Sequence, residues 1–83
     1  MYKVLIEKRA EKDLNSLDNY LKEKIVERLL LLKQNPRPVS SKKLSGSANS
    51  WRIRFTDYRI IYEISDVSRE VKIYKIKHRS KAY

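Results

Sequence analysis

Three arginines in one short segment, WRIRFTDYRIIYEI, carry the clearest chemical signal of the sequence. Alternating apolar and polar side chains over two strands place Arg52, Arg54 and Arg59 on one face, opposite the large apolar residues. If Thr56 and Asp57 form the loop between the strands, Arg54 lies directly across from Arg59. Like charges directly opposite each other destabilise a sheet. We therefore predict that this cluster binds an anionic ligand.

Arginine suits the recognition of phosphate, because its planar guanidinium presents a fork of donors and stays charged at any relevant pH. The structural alternative is that the arginines are neutralised by nearby acids such as Asp57 or Glu63. Glu63 shares their face and can neutralise one of them, but not three. Binding is therefore the favoured interpretation, although basic strands alone do not distinguish binding from catalysis.

A second group of candidate residues lies in the sequence HRSKAY, which contains His78, Arg79, Lys81 and Tyr83. Histidine is the side chain with an ordinary pKa close to neutrality. A tyrosine among cations suits stacking on the bases of single-stranded RNA. A structural histidine and a frayed last residue explain the same sequence, so the residues alone leave the role of this segment open.

The basic charge is concentrated in one part of the chain. Of 83 residues, 20 are Lys or Arg and 10 are Asp or Glu, giving a net charge of +10. Residues 33–83 carry thirteen of the basic residues, Lys42 and Lys43 among them, and four of the acidic residues. Such a field attracts phosphate backbones. We predict a surface for nucleic acid or another anionic partner.

Several classes of function are disfavoured by composition. The chain has no Cys, one His and one Gly, which argues against zinc sites and glycine-rich phosphate loops. Acids are too sparse in the cationic part for a two-metal nuclease, so a nuclease here would need no metal or cofactor and would use the RNA 2′-hydroxyl as nucleophile. No membrane-spanning run or signal peptide is evident, which predicts a cytosolic protein of one domain, residues 1–83.

Hydrophobic periodicity predicts an α+β fold with the order β-α-α-β-β-β, in which a helical hairpin packs on a mainly antiparallel four-stranded sheet. Asp18 is the expected N-cap of the second helix, Leu44 an anchor in the loop Asn35–Asn49, and the first strand is expected to run parallel to a C-terminal strand. The predicted elements are strands Tyr2–Ile6, Ser50–Thr56, Asp57–Ser65 and Glu70–Lys77, and helices Lys8–Leu17 and Asp18–Gln34.

The last strand does not alternate cleanly. Val71 and Ile73 suit one face, whereas Tyr74 and Ile76 suit the other. We expect either a β-bulge or burial on both faces.

Almost the whole chain resembles the RelE/ParE toxin superfamily of type II toxin–antitoxin systems. The resemblance rests on the element order, the loop KKLSG, the segment WRIRFTDYRIIYEI and the sequence HRSKAY, and it favours the RelE branch. It implies a toxin that enters the ribosomal A site and cleaves mRNA without a metal. It also implies a RelB-like antitoxin, expected to bind through an acidic segment in a hetero-oligomeric complex.

The resemblance assigns roles to the candidate residues of the segments WRIRFTDYRIIYEI and HRSKAY. The family's active site implies catalytic roles for Arg54, Arg59, Arg79 and Tyr83. We expect Arg52, Lys42, Lys43, His78 and Lys81 to contact RNA. The best-known members carry lysines where this chain has Arg52 and Arg54, and arginine is unable to serve as a general base. The candidate bases are Tyr83, His78 and water. The alternative is that catalysis rests on electrostatics and on orientation of the 2′-hydroxyl.

Two other functions fit the same sequence. A ParE-like toxin would inhibit DNA gyrase by binding it and would cleave no RNA. A non-catalytic RNA-binding module would retain the basic surface without the chemistry. A shared fold does not separate these possibilities.

Overall fold

The computed structural model describes residues 1–46 and 48–81, the last of them by its backbone alone. In this part of the chain the order of elements is the predicted one, with one additional strand and a short 3₁₀ helix after the last strand, where no further element is expected from the sequence. The elements are β1 (Lys3–Ile6), α1 (Lys8–Asn15), α2 (Asn19–Leu31), β2 (Lys42–Lys43), β3 (Ser50–Phe55), β4 (Tyr58–Ser65), β5 (Glu70–His78) and a short 3₁₀ helix (Arg79–Lys81). None of the described helices is long and apolar enough to cross a membrane.

The strands form a sheet in the order β1-β5-β4-β3-β2. β1 runs parallel to β5, as predicted, because α1 and α2 carry the chain across the sheet before it returns. The other neighbouring strands are antiparallel. The α+β class with a mainly antiparallel sheet is confirmed.

The predicted number of four strands is wrong, because the sheet in the described residues has five. Lys42 and Lys43 pair with Arg52 and Trp51 along the edge of β3. The N–H of Leu44 then donates to the carbonyl of Ser50 at 2.9 Å, and the Leu44 side chain is half-buried. Pairing satisfies backbone groups that an edge would otherwise leave exposed. The polar composition of this loop gave no periodicity from which so short a strand could be predicted.

The start of α2 is as predicted, and both helices end earlier than predicted. The Asp18 carboxylate accepts a hydrogen bond from the Leu21 N–H at 2.9 Å, which confirms the N-cap. α1 ends at Asn15, and α2 ends at Leu31. Beyond α2, Lys33 and Gln34 donate to carbonyls three residues back, the tighter pattern common at helix ends.

The hydrophobic core lies between the two helices and one face of the sheet, which we call the covered face. Its members are at most 5% exposed and come from the two helices, from the residue after α2, and from β3, β4 and β5. They are Ala10, Leu14, Ile25, Leu29, Leu32, Ile53, Ile60, Tyr62, Ile64, Val71, Ile73 and Ile76. Leu30, whose periodicity predicts a core-facing position, is 51% exposed. The opposite, open face carries Arg52, Arg54 and Arg59.

A β-bulge in β5 resolves the uneven alternation of that strand. Ile61 pairs with Lys75 and Tyr62 pairs with Ile73, so Tyr74 has no directly opposite residue. The extra residue returns Ile76 to the covered face. The predicted bulge is confirmed.

The loop after α2 is attached to the sheet by buried and half-exposed polar contacts. The hydroxyl of Tyr62, a fully buried residue, donates to the Pro36 carbonyl at 2.7 Å. The next residue, Arg37, donates to both oxygens of Asp66 at 3.2 and 2.8 Å. Tyr2 donates to the same carboxylate at 2.6 Å. These contacts join the loop, β1 and the β4–β5 turn.

Charge assistance reinforces this junction. The Arg37 guanidinium, followed by the Tyr2 hydroxyl, lowers the pKa of Asp66 from its ordinary value. Arg37 also lies over the Trp51 ring at 5.4 Å, a cation–π contact. The junction therefore holds the chain that leads into β2 against β3.

Tyr62 predicts a specific alkaline instability. Burial raises its pKa to about 12, whereas an unfolded tyrosine ionises near pH 10. The unfolded chain loses the proton first, so stability present below pH 10 is lost as the pH rises towards 12. We expect the free energy of unfolding to fall by about 2–3 kcal/mol over this window from Tyr62 alone.

The measurement is urea denaturation between pH 7 and 11.5 for wild type and Tyr62→Phe. The variant should lack this contribution and lose about 1–2 kcal/mol at pH 7, because the Pro36 carbonyl loses its donor. Tyr20→Phe, at an exposed position, should match wild type at every pH. Equal pH dependence of wild type and Tyr62→Phe would contradict the prediction.

Candidate functional site

The hairpin of β3 and β4 turns through two residues, as predicted. Phe55 pairs with Tyr58 and Arg54 with Arg59, so Thr56 and Asp57 form the loop. Thr56 adopts a φ of 52°, the left-handed conformation that β-branched residues rarely take. A positive φ at the first loop position is typical of the tight hairpin turns that match strand twist. The turn therefore fixes the register that places two arginines side by side.

A cleft of about 340 Å³ lies at this turn, and we call it the arginine cleft. It brings together three of the residues predicted from the sequence, Arg54, Arg59 and Arg79. Its lining residues are Arg54, Thr56, Asp57, Tyr58, Arg59 and Arg79. The residues predicted in two separate segments thus meet in one place.

Arg79 is held at the cleft by the turn. Its N–H donates to the Asp57 carbonyl at 2.7 Å, and its Nη1 lies 3.8 Å from Asp57 Oδ1. The ion pair is exposed on both sides and adds little stability. The backbone hydrogen bond therefore fixes where the chain leaves β5, while the guanidinium keeps freedom to meet a ligand.

The charge of the arginine cleft favours an anion with several oxygen acceptors. Among the described residues that line it, three guanidinium groups are accompanied by the single carboxylate of Asp57. Arg54 and Arg79 are exposed and Arg59 is half-buried. Guanidinium groups donate in pairs to phosphate oxygens. The cleft is therefore suited to a phosphate group and to charge that develops on its oxygens.

Two further cations extend this surface, and the sequence analysis missed both. Lys77 lies opposite Arg59, which continues the row begun by Arg54. Lys75 lies opposite Ile61, in the row that contains Arg52. The side-chain face of these lysines depends on the bulge at Tyr74, whose position the alternation did not specify. Lys77 and then Arg9 lower the pKa of Lys75 from its ordinary value, as expected for crowded cations.

The residues expected to contact RNA fall into different places. Lys42 pairs with Arg52 and shares its face, one row away from the arginine cleft. Lys43 pairs with Trp51 and therefore alternates to the other face. Tyr83 lies outside the described residues, and so does the side chain of Lys81.

His78 lies away from the arginine cleft. It pairs with Tyr58 on the covered side, with the two rings edge to face at 5.2 Å between centroids. Its Nδ1 accepts from the Ser80 N–H at 3.2 Å and lies 2.7 Å from Ser80 Oγ. His78 borders a separate cleft beside α1. The described structure thus does not bring His78 to Arg54 and Arg59.

The described residues also bear on metal binding. Within residues 1–46 and 48–81, no group of three or more His, Cys, Asp or Glu side chains lies close enough to hold a metal ion.

Comparison with known proteins agrees with the fold. Residues 4–83 match the family described as the ParE toxin of type II toxin–antitoxin system, parDE. RelE1 of Methanocaldococcus jannaschii, a protein named as a toxin, is 35% identical over 85 residues, covering 99% of this chain and 94% of that protein.

Solved structures give the same relationship. The archaeal RelE–RelB complex from Pyrococcus horikoshii OT3 contains a chain that is 32% identical, with a TM-score of 0.85 and 98% of each chain covered. The toxin–antitoxin complex RelBE2 from Mycobacterium tuberculosis contains one that is 29% identical, with a TM-score of 0.83, covering 94% of this chain and 98% of that one.

The small α+β fold is that of a toxin from a type II toxin–antitoxin system. The chain belongs to the RelE/ParE toxin superfamily.

The position of Arg54 directly across from Arg59 predicts that the two side chains repel each other and that this repulsion lowers the free energy of unfolding. A double-mutant cycle of Arg54→Thr, Arg59→Thr and the double variant should give a repulsive coupling of about 0.5 kcal/mol at low salt. Screening should reduce the coupling as NaCl is raised towards 1 M. The measurement is the free energy of unfolding by urea denaturation at each salt concentration. An attractive coupling, or one unaffected by salt, would contradict the prediction.

Proposed function

We propose that this toxin is a ribosome-dependent, metal-independent endoribonuclease that cleaves mRNA in the ribosomal A site and so inhibits translation. The single observation that carries the proposal is the convergence of Arg54, Arg59 and Arg79 in one exposed cleft. A surface that only binds RNA needs positive charge that is distributed along the RNA backbone. Three guanidinium groups that line one cleft are suited to stabilising a pentavalent, doubly charged transition state.

Each arginine has a distinct role in the proposed reaction. Arg54 and Arg59 hold the non-bridging oxygens of the scissile phosphate, because they lie side by side across the hairpin. The RNA 2′-hydroxyl attacks the phosphorus, and Arg79 stabilises the charge that develops on the leaving 5′-oxygen. Tyr83 stacks on a base or orients it. This base contact is proposed from the family resemblance.

The cations around the cleft are proposed to contact RNA beyond the scissile phosphate. Arg52 and Lys42 share the neighbouring row of the open face, which suits a strand leaving the cleft. Lys43 and His78 lie on other surfaces and would contact RNA there. Lys81 is proposed to add a further phosphate contact near Arg79.

The proposed partners are mRNA, the ribosome and a neutralising antitoxin. Two similar structures are RelE–RelB or RelBE complexes, which supports a RelB-like partner in a hetero-oligomer. An acidic antitoxin segment would match the charge of the open face. The proposed location is the cytoplasm, where ribosomes translate mRNA.

A ParE-like function is the second candidate, since the matching family is described as the ParE toxin. Such a toxin would inhibit DNA gyrase and leave mRNA intact. Induction in cells, followed by primer extension on several mRNAs and an assay of DNA damage, separates the two. Cleavage within translated codons supports the nuclease; DNA damage with intact mRNA supports the ParE-like activity. The absence of both mRNA cleavage and DNA damage would indicate a non-catalytic RNA-binding module.

Arg79→Ala should abolish ribosome-dependent cleavage while leaving the fold intact. Arg79 is 73% exposed in its side chain, and its backbone hydrogen bond to Asp57 survives the substitution. Loss of a transition-state charge contact typically costs about 10²–10³ in rate. The measurement is the single-turnover rate on mRNA in a programmed ribosome.

The control is Lys12→Ala, which removes an exposed cation that does not line the arginine cleft. It should cleave within a few-fold of wild type. Deletion of Tyr83 should also abolish toxicity. A folded Arg79→Ala variant that cleaves at the wild-type rate would refute the proposed mechanism.

Lys75 and Lys77 predict a change in the salt dependence of RNA binding. Each substitution by Ala should reduce the slope of log K against log salt by about 0.7 for a single-stranded RNA, the value for one lost phosphate contact. Binding is measured by fluorescence anisotropy with an RNA carrying a 2′-deoxy residue at the cleavage position. Lys12→Ala, on the exposed side of α1, should leave the slope unchanged. Unchanged slopes for Lys75→Ala and Lys77→Ala would exclude these two lysines from the RNA surface.

A further inference from the structure

The proposed cleavage needs a group that removes the proton from the 2′-hydroxyl. Arginine remains protonated under all relevant conditions, so Arg54, Arg59 and Arg79 do not serve. His78 borders another cleft and its Nδ1 contacts Ser80. Among the described residues that line the arginine cleft, Asp57 supplies the single carboxylate.

The position of Asp57 suits this role. It occupies the second loop position of the hairpin, next to Thr56 with its left-handed backbone. Its carbonyl is fixed by the N–H of Arg79 at 2.7 Å. Its carboxylate is 60% exposed and faces the same space as the guanidinium groups. The turn therefore presents a carboxylate beside the place where the phosphate would bind.

The contact between Asp57 and Arg79 leaves the carboxylate able to accept a proton. Oδ1 lies 3.8 Å from Nη1, which is longer than a hydrogen bond. A carboxylate accepts hydrogen bonds through both of its oxygens, and a ribose hydroxyl is a hydrogen-bond donor. When the phosphate of an RNA binds to the arginines of the cleft, the neighbouring 2′-hydroxyl can therefore donate to the Asp57 carboxylate.

We propose that Asp57 is the general base of the RNA cleavage, which rests on the proposed function. The Asp57 carboxylate takes the proton of the 2′-hydroxyl as the O2′–P bond forms. The P–O5′ bond breaks with its electron pair on the 5′-oxygen, which takes a proton from water. The products are a 2′,3′-cyclic phosphate and a 5′-hydroxyl. Asp57 returns its proton to solvent before the next turnover.

The test compares Asp57→Asn with Glu63→Gln in single-turnover cleavage of mRNA on the ribosome. Asparagine keeps the size of the side chain and the carbonyl that holds Arg79, but it does not accept the proton. The expected loss is about 10²–10⁴-fold, the usual contribution of a general base. Glu63→Gln makes the same change of charge on the open face outside the cleft and should cleave within a few-fold of wild type.

A second substrate separates a base from a residue that only positions Arg79. Replacing the leaving 5′-oxygen by sulfur gives a leaving group that needs little stabilisation. Arg79→Ala should regain most of its activity on this substrate, whereas Asp57→Asn should not. The affinities of the two variants for an uncleavable RNA with a 2′-deoxy residue should agree within a few-fold. This control shows that the rate losses do not come from lost binding.

The possible results distinguish failure of the base assignment from failure of the proposed nuclease function. If wild type cleaves and Asp57→Asn stays within a few-fold of it, the assignment of the base is overturned while the nuclease function stands. Recovery of Asp57→Asn on the sulfur substrate would also overturn it and would indicate a positioning role. If wild type cleaves no mRNA on the ribosome, both the proposed function and the base assignment are overturned.

Discussion

The register of the β3–β4 hairpin is the constraint on which the rest of the structure depends. A two-residue loop at Thr56 and Asp57 sets it. Because side chains alternate with a period of two, a slip of one residue in β3 would turn the arginines of that strand towards the core and its core residues towards solvent. The same loop provides the carbonyl that holds Arg79. One turn thus determines the core, the cationic face and the junction between two distant segments of the site.

The two faces of the sheet meet opposite requirements. The covered face buries apolar side chains from both helices and from three strands, and this burial is the main source of stability. The open face brings Arg54, Arg59 and Lys77 into one row against mutual repulsion. Proteins commonly tolerate such local destabilisation at functional sites because the remaining contacts offset it. The junction around Arg37 and Asp66 contributes to that offset at the far end of the sheet.

Much of this arrangement could be predicted from short-range patterns. Alternation identified the hairpin and the positions of Arg54 and Arg59, and the Asp18 cap followed from side-chain chemistry. The strand at Lys42–Lys43 was missed because an edge pairing of two residues leaves no periodicity. The lysines of β5 were missed because the site of a bulge decides which face a side chain takes, and tertiary packing sets that site. The place of Asp57 beside Arg79 depends on two segments meeting in space, which no local pattern records.

The strand order has a consequence for how the protein is made. β5 follows the other four described strands in the chain and lies between β1 and β4, so β1 has no neighbour in the sheet until β5 is available. Contacts between such distant segments form late and slowly. A nascent chain whose β5 is still in the ribosome therefore lacks the strand that joins β1 to β4, and it lacks the arginine that follows that strand. Assembly of the arginine cleft is thereby deferred until β5 and Arg79 have left the ribosome that makes them.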